Sequence, residues 1–236
     1  MKNLKFIIPN LFTTISLISA LFALQFSFEE KFVWAAWLIA VSMFCDGLDG
    51  KFARLLNASS KFGMQFDTLS DFVAFGVVPA FLAYKASLNE FGVLGGCISI
   101  FYVLCGGFRL VRFSLKTETS GEKNPFIGLP IPAAGGLIAS FVILNYYIWN
   151  TIVNPKIFLS LVFISSVLMV SKIEYLPIEK RAKLSKEAKF FILLAFVSIV
   201  IALRFSYFVF GIWILIYIFY GIVRHIILKI KGKAIV

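Results

Sequence analysis

Apolar stretches long enough to cross a bilayer alternate along this chain with short polar joints. They fall at about residues 11–28, 33–54, 63–84, 91–113, 131–150, 156–172, 188–203 and 207–228. A membrane helix needs roughly 20 predominantly apolar residues to cover ~30 Å of hydrocarbon, so each run reads as a span or most of one. As a single helix, the stretch from Phe190 to Val223 would measure ~51 Å, so it must fold back, and Arg204 is the natural place. The pattern predicts an all-α integral membrane protein, a bundle of about eight transmembrane helices forming a single transmembrane domain over residues 1–236.

Composition agrees with the pattern and adds a direction. The chain has 236 residues, 60% of them hydrophobic, and 28 are Phe, which leaves no room for a separate soluble domain. With the spans placed as above, all of the Lys and Arg except Lys31, Lys85, Lys156 and Arg204 fall on one side of the membrane. The positive-inside rule makes that side the cytoplasm and puts both termini there. The formal charge of +11 is then a topology signal and an attraction to anionic membrane lipids; no nucleic acid is needed to account for it. The basic loop Lys172–Lys189 reads as a lipid-facing charged surface. A basic start before an apolar run resembles a secretory signal, but the charge alternation uses that run as a span, so it reads as retained. Cys45, Cys97 and Cys105 all lie in apolar runs with no paired spacing, and read as small core residues. His225 stands alone at a membrane boundary and reads as an interfacial residue.

Residues 46–71 break the oil. Asp46 and Asp49 close one apolar run, and Asp67 and Asp71 open the next. Spacings of three and four put each pair on one helical face. If the two helices form a hairpin turning at residues 55–62, Asp46 comes level with Asp71 and Asp49 with Asp67, in one layer ~12 Å below Arg54. Each ionisable side chain at bilayer depth costs about 2.5–3.5 kcal/mol, so this layer calls for a positive partner. Mg²⁺ or Mn²⁺ bound by carboxylate and phosphate oxygens suits it best. Gly50, one turn past Asp46, and Gly63, one turn before Asp67, leave a bare strip with Ala53 along which a flat, charged ligand can approach the backbone. Arg54 closes the strip with a planar guanidinium suited to a phosphate.

Asp46, Asp49, Gly50, Ala53, Arg54, Gly63, Asp67 and Asp71, with eight residues between Arg54 and Gly63, match position by position the signature of the CDP-alcohol phosphotransferases, which the chain resembles. That resemblance implies a metal-dependent phosphatidyltransferase with two divalent cations, a CDP-linked lipid as donor (CDP-diacylglycerol or CDP-archaeol), and Asp71 as general base. The sequence RLVRF, a polar loop and then GLPIPAAG look like the phosphatidylserine synthase branch, which implies L-serine as acceptor and phosphatidylserine and CMP as products. In that branch a Pro-Asn followed by Thr opens the first helix close to the nucleotide pocket, as Pro9, Asn10 and Thr13 would here. Ser60, in the turn Asn57–Ser60, matches a position that contacts the cytidine diphosphate group. The same transfer to inositol phosphate or glycerol phosphate is the alternative.

Arg109 and Arg112 close the fourth span, share a face and could hold an anionic acceptor group, the serine carboxylate under this resemblance; anchoring by snorkelling would also explain them. The polar segment Ser114–Pro125 is the longest loop beside the acids and is placed to act as a lid. Gly92, Gly95, Gly96, Gly106 and Gly107 allow close helix approach, within one chain or across a homodimer seam of the kind relatives in the family use. A cation transporter also needs intramembrane carboxylates; it would more often show broken helices and pseudo-repeated halves, and neither is evident here.

Overall fold

The computed structural model describes residues 4–56, 58, 60–120, 126–175, 211–223 and 226. Its elements are α1 (Leu4–Phe28), α2 (Phe32–Leu55), α3 (Lys61–Asp71), a π-helical segment (Phe72–Val77), α4 (Val78–Ala86), a 3-10 turn (Leu88–Phe91), α5 (Val93–Ser120), β1 (Phe126–Ile127), α6 (Ile131–Trp149), α7 (Pro155–Val170) and β2 (Glu174–Tyr175). A further helix, α8, covers Gly211–Val223. Among the described residues, five helical stretches are long and apolar enough to cross a membrane: Ile7–Phe28, Phe32–Leu55, Lys61–Ala86, Val93–Leu115 and Ile131–Trp149; α7 and α8 are shorter apolar helices. The span expected at 188–203, the turn at Arg204, His225, Asn57, Ser59 and the Lys180–Lys189 part of the basic loop lie outside the described residues.

α6 is the central rod. Residues Ala134 to Ser140 are buried in unbroken succession, as expected of a helix apolar on every side. α1 and α2 pack along one another, joined by Ser16 and Ser42, whose hydroxyls lie 2.7 Å apart and whose backbones also take part. Small hydroxyl residues let backbones approach while satisfying each other where no water can. Phe22, Trp34, Phe44, Leu104 and Phe108 point outward, the expected arrangement where the solvent is lipid.

Four details differ from the sequence reading. α1 begins at Leu4, with Pro9 inside it rather than at its opening; within a membrane a helix satisfies its own backbone, which favours carrying the turns through the apolar Phe6–Ile8. α5 runs to Ser120, so half of the expected lid loop is helix, built from residues such as Leu115 and Lys116 with good helical propensity. Cys97 is exposed, because its part of α5 faces outward, while Cys45 and Cys105 are buried. The third span is also no uninterrupted α-helix. Pro79 has no N–H to give the Phe75 carbonyl four residues earlier, and the helix widens there, with Val78 N–H donating to the Val73 carbonyl. Tyr102, fully buried on α5, donates its hydroxyl to the Phe75 carbonyl at 3.0 Å and so replaces the lost bond.

The expected glycine contacts are made largely within the chain. A Cβ on Gly106 would meet Ile131 Cδ1 at 2.8 Å, and one on Gly107 would meet the Phe72 ring at 3.2 Å. These two glycines let α5 close on the π-helical segment and on the start of α6.

Candidate active site

The acidic hairpin forms as its spacing dictates. α2 ends at Leu55, with Leu56 and Ala58 N–H groups returning to the Phe52 and Ala53 carbonyls. Ser60 caps α3, its hydroxyl accepting from the Gly63 N–H at 2.9 Å; an N-cap of this kind contributes ~1 kcal/mol. The short turn reverses the chain so that α3 packs against α1, as α2 does, and the acids of α2 and α3 meet across the space between them. The Asp46 and Asp71 carboxyl groups lie within reach of each other, and one oxygen from each of Asp46, Asp49 and Asp67 lies within 4.8 Å of the others.

α1 adds a third wall. Thr13, 3% exposed, donates its hydroxyl to Asp49 Oδ2 at 2.8 Å, and Asp49 itself is 5% exposed. The Thr13 hydroxyl is also 3.2 Å from the Pro9 carbonyl, and Ser70 donates to the Thr13 carbonyl at 3.4 Å. Thr13 therefore bears on the carboxylate layer through Asp49. Ser70 was missed by the sequence reading, though a hydroxyl residue one position before Asp71 was a usable signal.

Carboxylate oxygens are the hard donors that Mg²⁺ and Mn²⁺ take. Their spacing is one that modest side-chain rotation closes onto ions with metal–oxygen distances of ~2.1 Å. Acids this close and this poorly solvated would repel one another without positive charge among them. The donor set fits divalent cations.

Beside this layer lies the bare strip. A Cβ on Gly63 would stand 3.1 Å from both Asn10 Oδ1 and Ser60 Oγ, so α1, the turn and α3 converge there. One on Gly50 would stand 3.7 Å from Arg54 Nη2; the exposed guanidinium folds back along its own helix past the half-buried Ala53. Nothing lies within 4 Å of the corresponding position at Gly47. Asn10, Gly50, Ala53, Arg54, Ser60 and Gly63 thus line the part of the hairpin nearest the turn.

The two arginines of α5 part company. Arg109 is 4% exposed, stands with its guanidinium carbon 5.4 Å from the Phe113 ring centroid, and is within electrostatic reach of Asp71, Asp46 and Tyr217. Arg112 donates to the carbonyls of Ile127 at 2.6 Å, Val170 at 3.1 Å and Met169 at 3.2 Å, tying β1 to the last turn of α7. Gly128, at φ +83°, sits inside this knot against the Met169 carbonyl. β1 and β2 pair antiparallel beside it, Phe126 opposite Tyr175. Burial pushes the Tyr175 phenol up to about 12, so it stays a neutral hydroxyl. Tyr217 of α8 was also missed, and no local motif marks it.

A family model described as CDP-alcohol phosphatidyltransferase matches residues 6–165. Among curated relatives, a Helicobacter pylori protein named CDP-diacylglycerol--serine O-phosphatidyltransferase is 39% identical over 230 residues, 97% of this chain and 95% of its own. Proteins of the same name from Bacillus subtilis and Methanocaldococcus jannaschii are 34% identical over 74% of this chain and 93% of theirs, and 37% identical over 58% and 61%.

Proposed function

The chain belongs to the CDP-alcohol phosphatidyltransferase family, and from that premise we propose that it transfers the phosphatidyl group of CDP-diacylglycerol to the hydroxyl of L-serine, releasing CMP. The observation that carries this reading is the clustering of Asp46, Asp49, Asp67 and Asp71 between apolar helices with a buried Arg109 beside them. Such a place takes a substrate whose chains lie in the bilayer and whose charged pyrophosphate is held at its surface. Asp46, Asp49, Asp67 and Asp71 would hold two divalent cations, Mg²⁺ or Mn²⁺, which when bound neutralise the pyrophosphate and favour the departure of CMP.

In the reaction the serine oxygen forms a bond to the phosphorus that carries the diacylglycerol, and the bond from that phosphorus to the CMP oxygen breaks. Asp71, as general base, takes the serine hydroxyl proton. Thr13 holds Asp49 in register, which limits the reorganisation needed as charge moves. Asn10, Gly50, Ala53, Arg54, Ser60 and Gly63 bind the cytidine diphosphate portion, the glycines allowing close approach and Arg54 meeting phosphate. Arg109 receives the serine carboxylate; Arg112, engaged with the Ile127, Met169, Val170 and Ser171 carbonyls, supports the wall beside it.

The deciding experiment offers purified protein CDP-diacylglycerol with L-serine, inositol phosphate or glycerol phosphate in turn and reads CMP release and the lipid product. Phosphatidylserine formed with serine alone is expected. CMP release driven by a phosphate acceptor instead would overturn the serine assignment, and ion flux in proteoliposomes without CMP release would overturn the enzyme reading itself.

We further infer a single domain over 1–236 with eight spans, both termini and the active site facing the cytoplasm, in the cell membrane, the support being the basic-residue asymmetry of the joints. Reporter fusions at residues 30, 87 and 152 check this, since any of them found in the cytoplasm contradicts it. A homodimer, which the glycines of α5 would allow by close helix approach, is part of this reading, and crosslinking in liposomes checks it. CDP-archaeol, as a competing donor in the same assay, tests whether ether lipid serves equally.

A further inference from the structure

The acids meet α1, α2 and α3 on the side built from the family signature, but their neighbour Arg109 leads to a different part of the chain. Arg109 and Tyr217 stand within electrostatic reach of each other. The Tyr217 ring lies 5.8 Å from that of Tyr175, tilted by 31°. Tyr175 is fully buried, its ring pressed against Gly221 one turn further along α8. Its hydroxyl has no hydrogen-bond partner among the described residues, and a buried hydroxyl of that kind is costly unless something completes it. Arg109, Tyr175 and Tyr217 therefore make a second polar wall, drawn from α5, β2 and α8. Tyr175 and Tyr217 both lie beyond residues 6–165, the part of the chain that the family model matches.

That location matters because acceptors differ between reactions of this type while the donor half stays the same. Charge narrows the choice. Arg112 is committed to the carbonyls of Ile127, Met169 and Val170, so of the α5 pair Arg109 alone is near Asp46 and Asp71. One guanidinium beside neutral phenols balances a single negative charge. A phosphate monoester, with a charge of about −1.5 to −2 at pH 7, would call for a second cation.

We propose that Tyr217 is a specificity-determining residue for the acceptor: with Arg109 it binds the α-carboxylate of serine, the phenol donating a hydrogen bond and Tyr175 holding the ring in place. This rests on the serine reading above. Removing one hydrogen bond to a charged group lowers affinity about tenfold or more.

The test uses the full-length purified enzyme with CDP-diacylglycerol and compares wild type with Tyr217→Phe, which keeps the ring and removes the donor. The serine KM is expected to rise about tenfold while the CDP-diacylglycerol KM stays within about twofold. The preference for L-serine over serinamide, which keeps the hydroxyl and amine but has no carboxylate, is expected to fall by the same factor, and Tyr217→His, which restores a donor, to recover part of it. An unchanged preference in Tyr217→Phe, or equal loss with both acceptors, overturns the assignment. A wild type that does not use serine at all overturns the function reading instead, so the two failures are told apart by the wild-type lane.

Discussion

Replacing Thr13 by Val tests whether the first helix takes part in the chemistry. The two side chains are nearly the same shape, so the 3% exposed position stays filled and only the hydroxyl is lost. That hydroxyl donates to Asp49 Oδ2 at 2.8 Å, between groups that water barely reaches. A hydrogen bond to a charged partner contributes about 1.5–3 kcal/mol, which at ~1.4 kcal/mol per decade is roughly 10- to 100-fold in an equilibrium. Partners that orient metal-binding side chains have typical effects of about the same 10- to 100-fold on metal affinity. The assay is CMP release by purified enzyme in lipid–detergent micelles, titrated with Mn²⁺. The concentration giving half-maximal rate is expected to rise by ~10- to 100-fold, with the rate at saturating metal within about threefold of wild type. Thr14→Val is the comparison, because its hydroxyl bonds the Asn10 carbonyl at 2.7 Å and, among the described residues, no carboxylate, so no shift is expected. An unchanged midpoint in Thr13→Val, or the same shift in both variants, would refute the coupling of α1 to Asp49.

Two further outcomes follow from the site. Asp71→Asn should reduce turnover by about 10²- to 10⁴-fold, the usual contribution of a general base, while CDP-diacylglycerol binding by equilibrium dialysis stays largely intact; retained turnover would remove Asp71 from that role. Arg112→Ala should lower the thermal midpoint in detergent by cutting its bonds to backbone carbonyls, a loss of about 2–4 kcal/mol allowing for non-additivity, with Arg112→Lys intermediate. An Arg112→Ala protein that melts with wild type would mean the knot holds nothing.

The acidic hairpin was legible because the period of a helix is fixed. Once Leu55 to Phe62 is read as a turn, the pairings of Asp46 with Asp71 and Asp49 with Asp67 follow from counting alone. The bare strip was legible for the same reason, and Gly63 does bring Asn10 and Ser60 together. What could not be counted is lateral. Thr13 reaches Asp49 because of how α1 leans on α2, and no spacing along either helix encodes that lean. Arg109 and Arg112 look alike in sequence, three residues apart, yet one faces carboxylates and the other the carbonyl ends of α7. Their difference is set by β1 and the end of α7, and the latter arrives from far along the chain. Pro79 announced a lost bond at the Phe75 carbonyl, but nothing local said that Tyr102 would replace it.

The widened turn between Asp71 and Pro79 also acts as a phase shifter. Each extra residue in a helix turns everything beyond it by about 100° relative to a regular spiral. The reacting half of this rod and its anchoring half are thereby indexed independently: Asp67 and Asp71 aim at α2, while Val78, Ala80 and Leu82 are free to settle into the interior on their own azimuth. A chain that lost one residue there would have to choose which half to misalign, so the length of this segment is as much a part of the catalyst as its acids.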